Sequence, residues 1–162
     1  MRRILVASDT HGREENLKKI LQDNTPLDMF IFCGDGDGLE DRIFDMLDMR
    51  CSVHMVRGNN DYGSRLQRDE VFQLGSHRCF LTHGHRHLVG HGVGYLAEAA
   101  AAQSCSIAFF GHTHVPHIET EGGVLCINPG SLSLPRQEGR RGTYLLITES
   151  EDGALSFLPK EI

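Results

Sequence analysis

The chain has 162 residues and an apolar share of 40%, enough for one compact domain with an ordinary core and no need of staples. Its formal net charge of -6 argues against a duplex nucleic-acid platform, which needs a basic face. It leaves room for a small phosphate compound whose charge metal ions would offset.

No apolar run approaches the roughly 18–20 residues that span a bilayer. The opening Met1-Arg2-Arg3 resembles the start of a leader, but its apolar stretch stops at Ser8-Asp9 and is too brief for one. Five cysteines, Cys33, Cys51, Cys79, Cys105 and Cys126, form an odd set without CxxC spacing. That favours neither a disulfide frame nor a zinc knuckle and fits a reducing cytoplasm.

In chain order, Arg3 to Ser8 is a short β-rich run. Arg13 to Gln22 reads as a helix, with Leu17, Ile20 and Leu21 on one face, Glu14 and Glu15 early and Lys18 and Lys19 later, as the helix dipole favours. Met29 to Cys33 is a buried strand. Leu39, Ile43 and Leu47 mark a second helix, and Ser52 to Val56 a third strand, so the chain opens as a largely parallel α/β unit. Val71 to Leu74 and Arg78 to Thr82 form a hairpin around Gly75-Ser76. Val93, Leu96, Ala97 and Ala100 make a further helical stripe, and Ile107 to Phe110 another buried strand. Val115 to Glu121, Val124 to Asn128, Thr143 to Thr148 and Leu155 to Leu158 are strand-like. Two packed sheets with helices outside are expected.

The informative residues lie where apolar strands stop. The ends read Asp9-Thr10-His11-Gly12, Gly34-Asp35-Gly36, Gly58-Asn59-Asn60-Asp61, His83-Gly84-His85 and Gly111-His112-Thr113-His114. Ligands of α/β sheets bind outside the carboxyl ends of strands, and glycine permits tight turns there. In Asp9-x-His11 and His112-x-His114, alternate side chains of an extended segment would face one side. Each motif alone has an ordinary explanation: a chance DxH, a GDG turn, solvated loop histidines. Five in order at strand ends are hard to credit to chance. His54, His77, His87, His91 and His117 are incidental on this reading.

Taken with Thr82-His83-Gly84-His85 and Asn128-Pro129-Gly130-Ser131, this ordered set resembles the calcineurin-like metallophosphoesterases, and within them the small bacterial and archaeal phosphodiesterases. The resemblance implies an α/β fold, a four-layer αββα sandwich with two mixed β-sheets, and one metallophosphoesterase domain over residues 1–162. It also implies two divalent metal ions, and the mixed imidazole, carboxylate and amide donors suit manganese first, with iron, nickel or zinc as alternatives. Asp9, His11 and His114 would hold one ion, Asn59, His83 and His112 the other, and Asp35 would bridge them. The partition comes from the family, since spacing gives membership of the cup only. The implied reaction is hydrolysis of a small phosphoester by in-line attack of a hydroxide shared between ions about 3.5–4 Å apart.

Many relatives carry histidine after the metal-binding asparagine, where this chain has Asn60. An amide donates a hydrogen bond but cannot be a general acid. Asn60 is therefore a candidate substrate donor, with His85 the first candidate acid and Asp61 a weaker one. Arg86 is the chosen substrate contact, with Arg57, Arg65 and Arg136 as further candidates. The closing NPGS motif is expected to shape the pocket wall.

Alternatives are a non-catalytic metal-binding scaffold for protein interaction, like the retromer subunit that keeps this fold, or a phosphomonoesterase or nucleotide pyrophosphatase. A nucleotide-binding module built on Gly34-Asp35-Gly36-Asp37-Gly38 lacks GxGxxG spacing and would repel a pyrophosphate. The expected partner is a small phosphoester, with no stable nucleic-acid complex and no membrane. Edge strands of the second sheet leave a homo-oligomer open.

Overall fold

Burial of the first strand decides the architecture. Ile4, Leu5, Val6 and Ala7 are all fully buried although successive side chains point to opposite faces, so this strand must be covered on both sides. The computed structural model describes residues 1–162 and orders them as β1 (Arg2–Ala7), α1 (Glu15–Asn24), β2 (Met29–Phe32), β3 (Ser52–Met55), β4 (Asp69–Leu74), β5 (His77–Thr82), α2 (Gly94–Ala102), β6 (Ile107–Phe109), β7 (His117–Glu121), β8 (Val124–Asn128), β9 (Thr143–Glu149) and β10 (Leu155–Glu161).

One sheet has the order β10-β9-β1-β2-β3 and the other β4-β5-β6-β8-β7. The first is parallel over β1, β2 and β3 and antiparallel over β9 and β10. The second is parallel over β5, β6 and β8, with antiparallel β4 and β7 at its edges. Ile4 and Val6 of β1 join Ile31, Phe109 and Ile127 in the core between the sheets. Leu5 and Ala7 pack outward with Leu17, Ile20 and Leu21 of α1. Leu96, Ala97 and Ala100 of α2 cover the outer face of the second sheet against Phe80, Ala108 and Cys126. These three cores are the three contacts of a four-layer αββα sandwich.

The expected second helix is absent. Leu39–Asp41 and Ile43–Asp45 form two short 3-10 turns instead. Gly38 enters at φ 80, Arg42 breaks the path at φ -121, and the Arg42 guanidinium is drawn to Glu14 at 2.5 Å. Leu39 and Ile43 still reach the core, so the apolar spacing was real while the backbone that carries it is tighter. The first helix starts and ends two residues later than its apolar stripe suggests. β7 starts after Pro116, which has no N–H for the ladder, and β10 runs through Pro159 because it is an edge strand.

Phe109 is fully buried between the sheets, with Phe72 stacked 6.2 Å away. Phe109→Ala should lower the unfolding free energy by about 3–5 kcal/mol in urea titration. A loss under about 1 kcal/mol would mean that the sheets do not pack through this residue.

Candidate metal centre

β1, β2, β5 and β6 each run into a loop carrying one or more candidate ligands. The DxH and HTH segments are not extended, contrary to the sequence expectation. Asp9 (φ 55), His11 (φ 47), Asp35 (φ 56), His112 (φ 69) and His114 (φ 60) all have left-handed backbones. The chain turns there because its amides are claimed by neighbouring loops: Asp9 N–H donates to the Gly34 carbonyl and His11 N–H to that of Asp35, both at 3.0 Å. Asp and His tolerate this region better than most residues, at some cost.

The turns converge. His114 Nε2 lies 3.1 Å from Asp9 Oδ1 and 3.2 Å from His11 Nε2, which is 3.8 Å from the same carboxylate oxygen. Asp35 Oδ2 lies 3.3 Å from His83 Nε2 and 3.8 Å from His11 Nε2. His83 Nε2 is also 3.9 Å from Asp9 Oδ1, so Asp9 as well as Asp35 lies between ring groups. Asp9, His11 and His114 form one group with ligand-like geometry and Asp9, Asp35 and His83 a second. Asn59 and His112 stand beside the second group, with Asn59 Oδ1 and His112 Nδ1 3.0 Å apart and the His112 ring 5.2 Å from that of His83.

Backbone carbonyls orient two of the rings. The nitrogens facing them, Nδ1 of His83 and of His114, donate to Cys33 O and Leu134 O at 2.7 Å each. A carbonyl only accepts, so those nitrogens carry protons, and in the neutral ring each Nε2 keeps a lone pair that a cation could take beside the carboxylates. Asp9 Oδ1 and His83 Nε2 are buried without a hydrogen-bond partner. Burial of such atoms is costly unless a cation meets them. Imidazole and carboxylate donors mixed in this way fit manganese, iron, nickel or zinc better than calcium.

Electrostatics agrees with the crowding. Burial pulls the Asp35 carboxyl upward, but His83 and the two Asn60 donors outweigh it and hold it well below the usual range. Burial depresses His83, yet Asp35, Asp9 and the Cys33 carbonyl hold its pKa above the ordinary value. His112 and His85 are lowered, first by burial and then by the neighbouring histidines.

Two residues have different surroundings from those expected. Asp61 is no proton donor candidate: its carboxylate accepts from the amides of Asp35, Gly36, Asp37 and Gly58 at 2.7–2.9 Å. It ties the Asp35 loop to the Asn59 loop. Asn60 turns its amide to Asp35 Oδ2 at 2.7 Å while its N–H meets Oδ1 at 2.8 Å, so both donors are taken by the Asp35 carboxylate. The NPGS segment braces ligand loops more than it walls a pocket. Asn128 Nδ2 holds Gly111 O and Thr113 Oγ1, and Ser131 Oγ donates to the Asp9 carbonyl. Gly58 is required by contact, since a Cβ there would sit 2.7 Å from the Asp35 backbone nitrogen.

A cavity of about 490 Å³ opens beside Asn59 and His85, with Arg57, Arg68, Arg86 and Tyr62 among its walls. Arg86 and Arg57 are thus near the centre. Arg65 is 93% exposed with only Asp41 at 3.9 Å, and Arg136 meets His114 through its backbone amide. Arg68 carries no motif that the sequence could have shown. His54, His77, His87, His91 and His117 lie outside both ligand groups. All five cysteines are buried free thiols, and burial pushes Cys79 up to about 12, which argues against a nucleophile there.

Residues 1–152 match the family model of the calcineurin-like phosphoesterase superfamily domain. The chain belongs to this superfamily. It is 35% identical over 155 residues to the probable metallophosphoesterase YsnB of Bacillus subtilis, covering 93% of this chain and 86% of that protein. It shares 38% identity over 63 residues with the phosphodiesterase YfcE of Escherichia coli, or 39% of this chain and 30% of that one. A Streptococcus pneumoniae protein described as a predicted phosphoesterase superposes with TM-score 0.79 at 26% identity, over 99% of this chain and 97% of that one. Vps29 of Entamoeba histolytica, solved with zinc, superposes with TM-score 0.75 at 20% identity over 98% of each chain, a likeness of fold alone. Metal-dependent phosphoester hydrolysis is the chemistry this membership suggests.

Asp61→Asn removes one acceptor oxygen and turns an amide toward N–H groups. It should cost about 2–4 kcal/mol in denaturant unfolding and weaken manganese binding by calorimetry. Wild-type values for both would refute the bracing role.

Proposed function

We propose that the protein is a phosphodiesterase acting with two divalent ions, manganese first, and that residues 1–162 serve as one catalytic unit. The observation that carries this reading is the convergence of two buried carboxylates and three imidazoles around polar atoms that have no partner. Asp9, His11 and His114 would hold one ion, and Asn59, His83 and His112 the other. The position of Asp35 Oδ2 between His11 and His83 supports a shared role for that carboxylate. Ions bound there would supply Lewis-acid polarisation of the phosphoryl oxygens and acidification of water.

The chain's own groups do the rest. Asn60 fixes the Asp35 carboxylate, and the Cys33 and Leu134 carbonyls fix two rings, so the donors are set before substrate arrives. Water that has lost a proton to solvent would attack phosphorus in line, and the bond from phosphorus to the leaving oxygen would break on the opposite side. With Asn60 spent on Asp35, His85 is the group left to protonate that oxygen. It stands on the cavity wall, its ring 5.5 Å from His83, and its Nδ1 has no partner. Arg86 and Arg57 would contact the substrate from the cavity wall beside the centre. The name of YfcE supports a diester over a monoester. Five buried free thiols suit a reducing compartment such as the cytoplasm. The Vps29 likeness favours a second reading, a metal-keeping scaffold without turnover.

Chelator-stripped protein should regain hydrolysis of bis-p-nitrophenyl phosphate on adding manganese, with p-nitrophenyl phosphate cleaved more slowly. Asp35→Asn should lower the rate about 100-fold or more. A folded protein inert with manganese, nickel, zinc and magnesium alike would leave the scaffold reading standing. A leaving-group series separates the two neighbours of the site. His85→Gln should slow diphenyl phosphate about 100-fold more than the nitrophenyl diester. Asn60→Ala should slow both by a similar factor of about 10–100. Equal losses for both diesters in the His85 variant would remove it from the role of acid.

A further inference from the structure

Resting on the phosphodiesterase reading, we propose that the cavity beyond His85 is a subsite for a second phosphate, so that the substrate is a phosphodiester with a flat ring and a further phosphate on one arm. The cavity's guanidiniums are poorly partnered in a chain of net charge -6. Arg57 reaches only the Ser64 carbonyl, at 3.4 Å. Arg86 has Asp69 at 3.9 Å, beyond hydrogen-bond range, and Asp69 is shared with His87. Arg68 makes no ion pair. By contrast Arg2 and Arg42 sit 2.8 and 2.5 Å from carboxylates. Asp61 also lines the cavity, but four backbone amides already occupy its oxygens.

The opposite side of the same loop has the opposite sign. A second cavity, sharing Asp61, Tyr62 and Gly63, is further walled by Asp37, Glu40 and Asp41. An anionic arm leaving the centre is repelled there and attracted toward the arginines. Asn59 and His85 belong to the arginine-lined wall, so an arm in that cavity is continuous with the metal centre. Its volume lies within the roughly 300–1,000 Å³ of small-molecule sites, while its walls are almost wholly polar, which selects a charged occupant. Tyr62 is 90% exposed at the boundary of both cavities, where its ring packs on nothing and offers a face to a planar group such as a nucleobase.

The test compares thymidine 5'-p-nitrophenyl phosphate with the same ester phosphorylated at the 3' oxygen, on manganese-loaded protein. In parallel, calorimetry compares binding of thymidine 3',5'-bisphosphate with that of thymidine 5'-monophosphate. The expected result is a kcat/KM about three- to tenfold higher for the phosphorylated ester, with a similar preference in binding. Both preferences should fall to near one in Arg68→Gln/Arg86→Gln, whose exposed side chains leave the core untouched. Equal kcat/KM and equal binding in the wild type, or preferences that survive the double substitution, would overturn the subsite. If no ester turns over but the bisphosphate preference is present and lost in the double variant, the subsite stands and the phosphodiesterase reading falls.

Discussion

Two carboxylates, Asp9 and Asp35, are buried within reach of the same imidazoles, and much of the surrounding structure serves to hold them there. Like charges out of water are unstable neighbours unless donors and cations meet them. The neutral donors are present. Asp9 Oδ2 accepts from Ser8 Oγ at 2.6 Å and from the His112 amide at 3.2 Å, while Asp35 takes both donors of Asn60. What these leave over, Asp9 Oδ1 and the His83 lone pair, is what a cation would take.

The sandwich brings the donors together because their strands stop at one edge. β1 and β2 are adjacent and parallel, so Asp9 and Asp35 leave neighbouring strand ends. β5 and β6 do the same in the second sheet for His83 and the His112 loop. Cross-ties then lock the two sets. The Leu132 amide donates to Ser8 O and the His83 ring to Cys33 O, each linking a second-sheet loop to a first-sheet one. Asp61 performs the same task between loops with a single carboxylate.

Most of this frame was legible in the sequence because a buried strand announces itself by where its apolar run ends. Met29 to Cys33 stops at Gly34-Asp35, and Ile107 to Phe110 stops at Gly111-His112, in each case where the backbone turns out of the sheet. What stayed hidden depended on tertiary partners. Leu39 and Ile43 showed their core face, but not that Arg42 would leave the helical path for Glu14. Asp61 and Asn60 lay in a visible motif, yet their targets are amides and a carboxylate about 25 residues earlier, which no local pattern encodes. Arg68 lies between strands with no signature of its own. The left-handed backbones at Asp9, His11, His112 and His114 were missed because periodicity describes regular elements, and these residues sit just past them.

Those backbones bear on the choice between enzyme and scaffold. Five donor residues hold positive φ without being glycine, each costing of order 1–2 kcal/mol. The buried pair of carboxylates adds to that cost. A docking surface that holds no ion gains nothing from strained, buried and partly unsatisfied donors, since docking needs exposed area. A centre that must present fixed donors to a developing charge gains from all three, because orientation completed during folding need not be repeated at each turnover. Cation binding then returns part of the cost to folding, so loading the centre and stabilising the sandwich are one equilibrium.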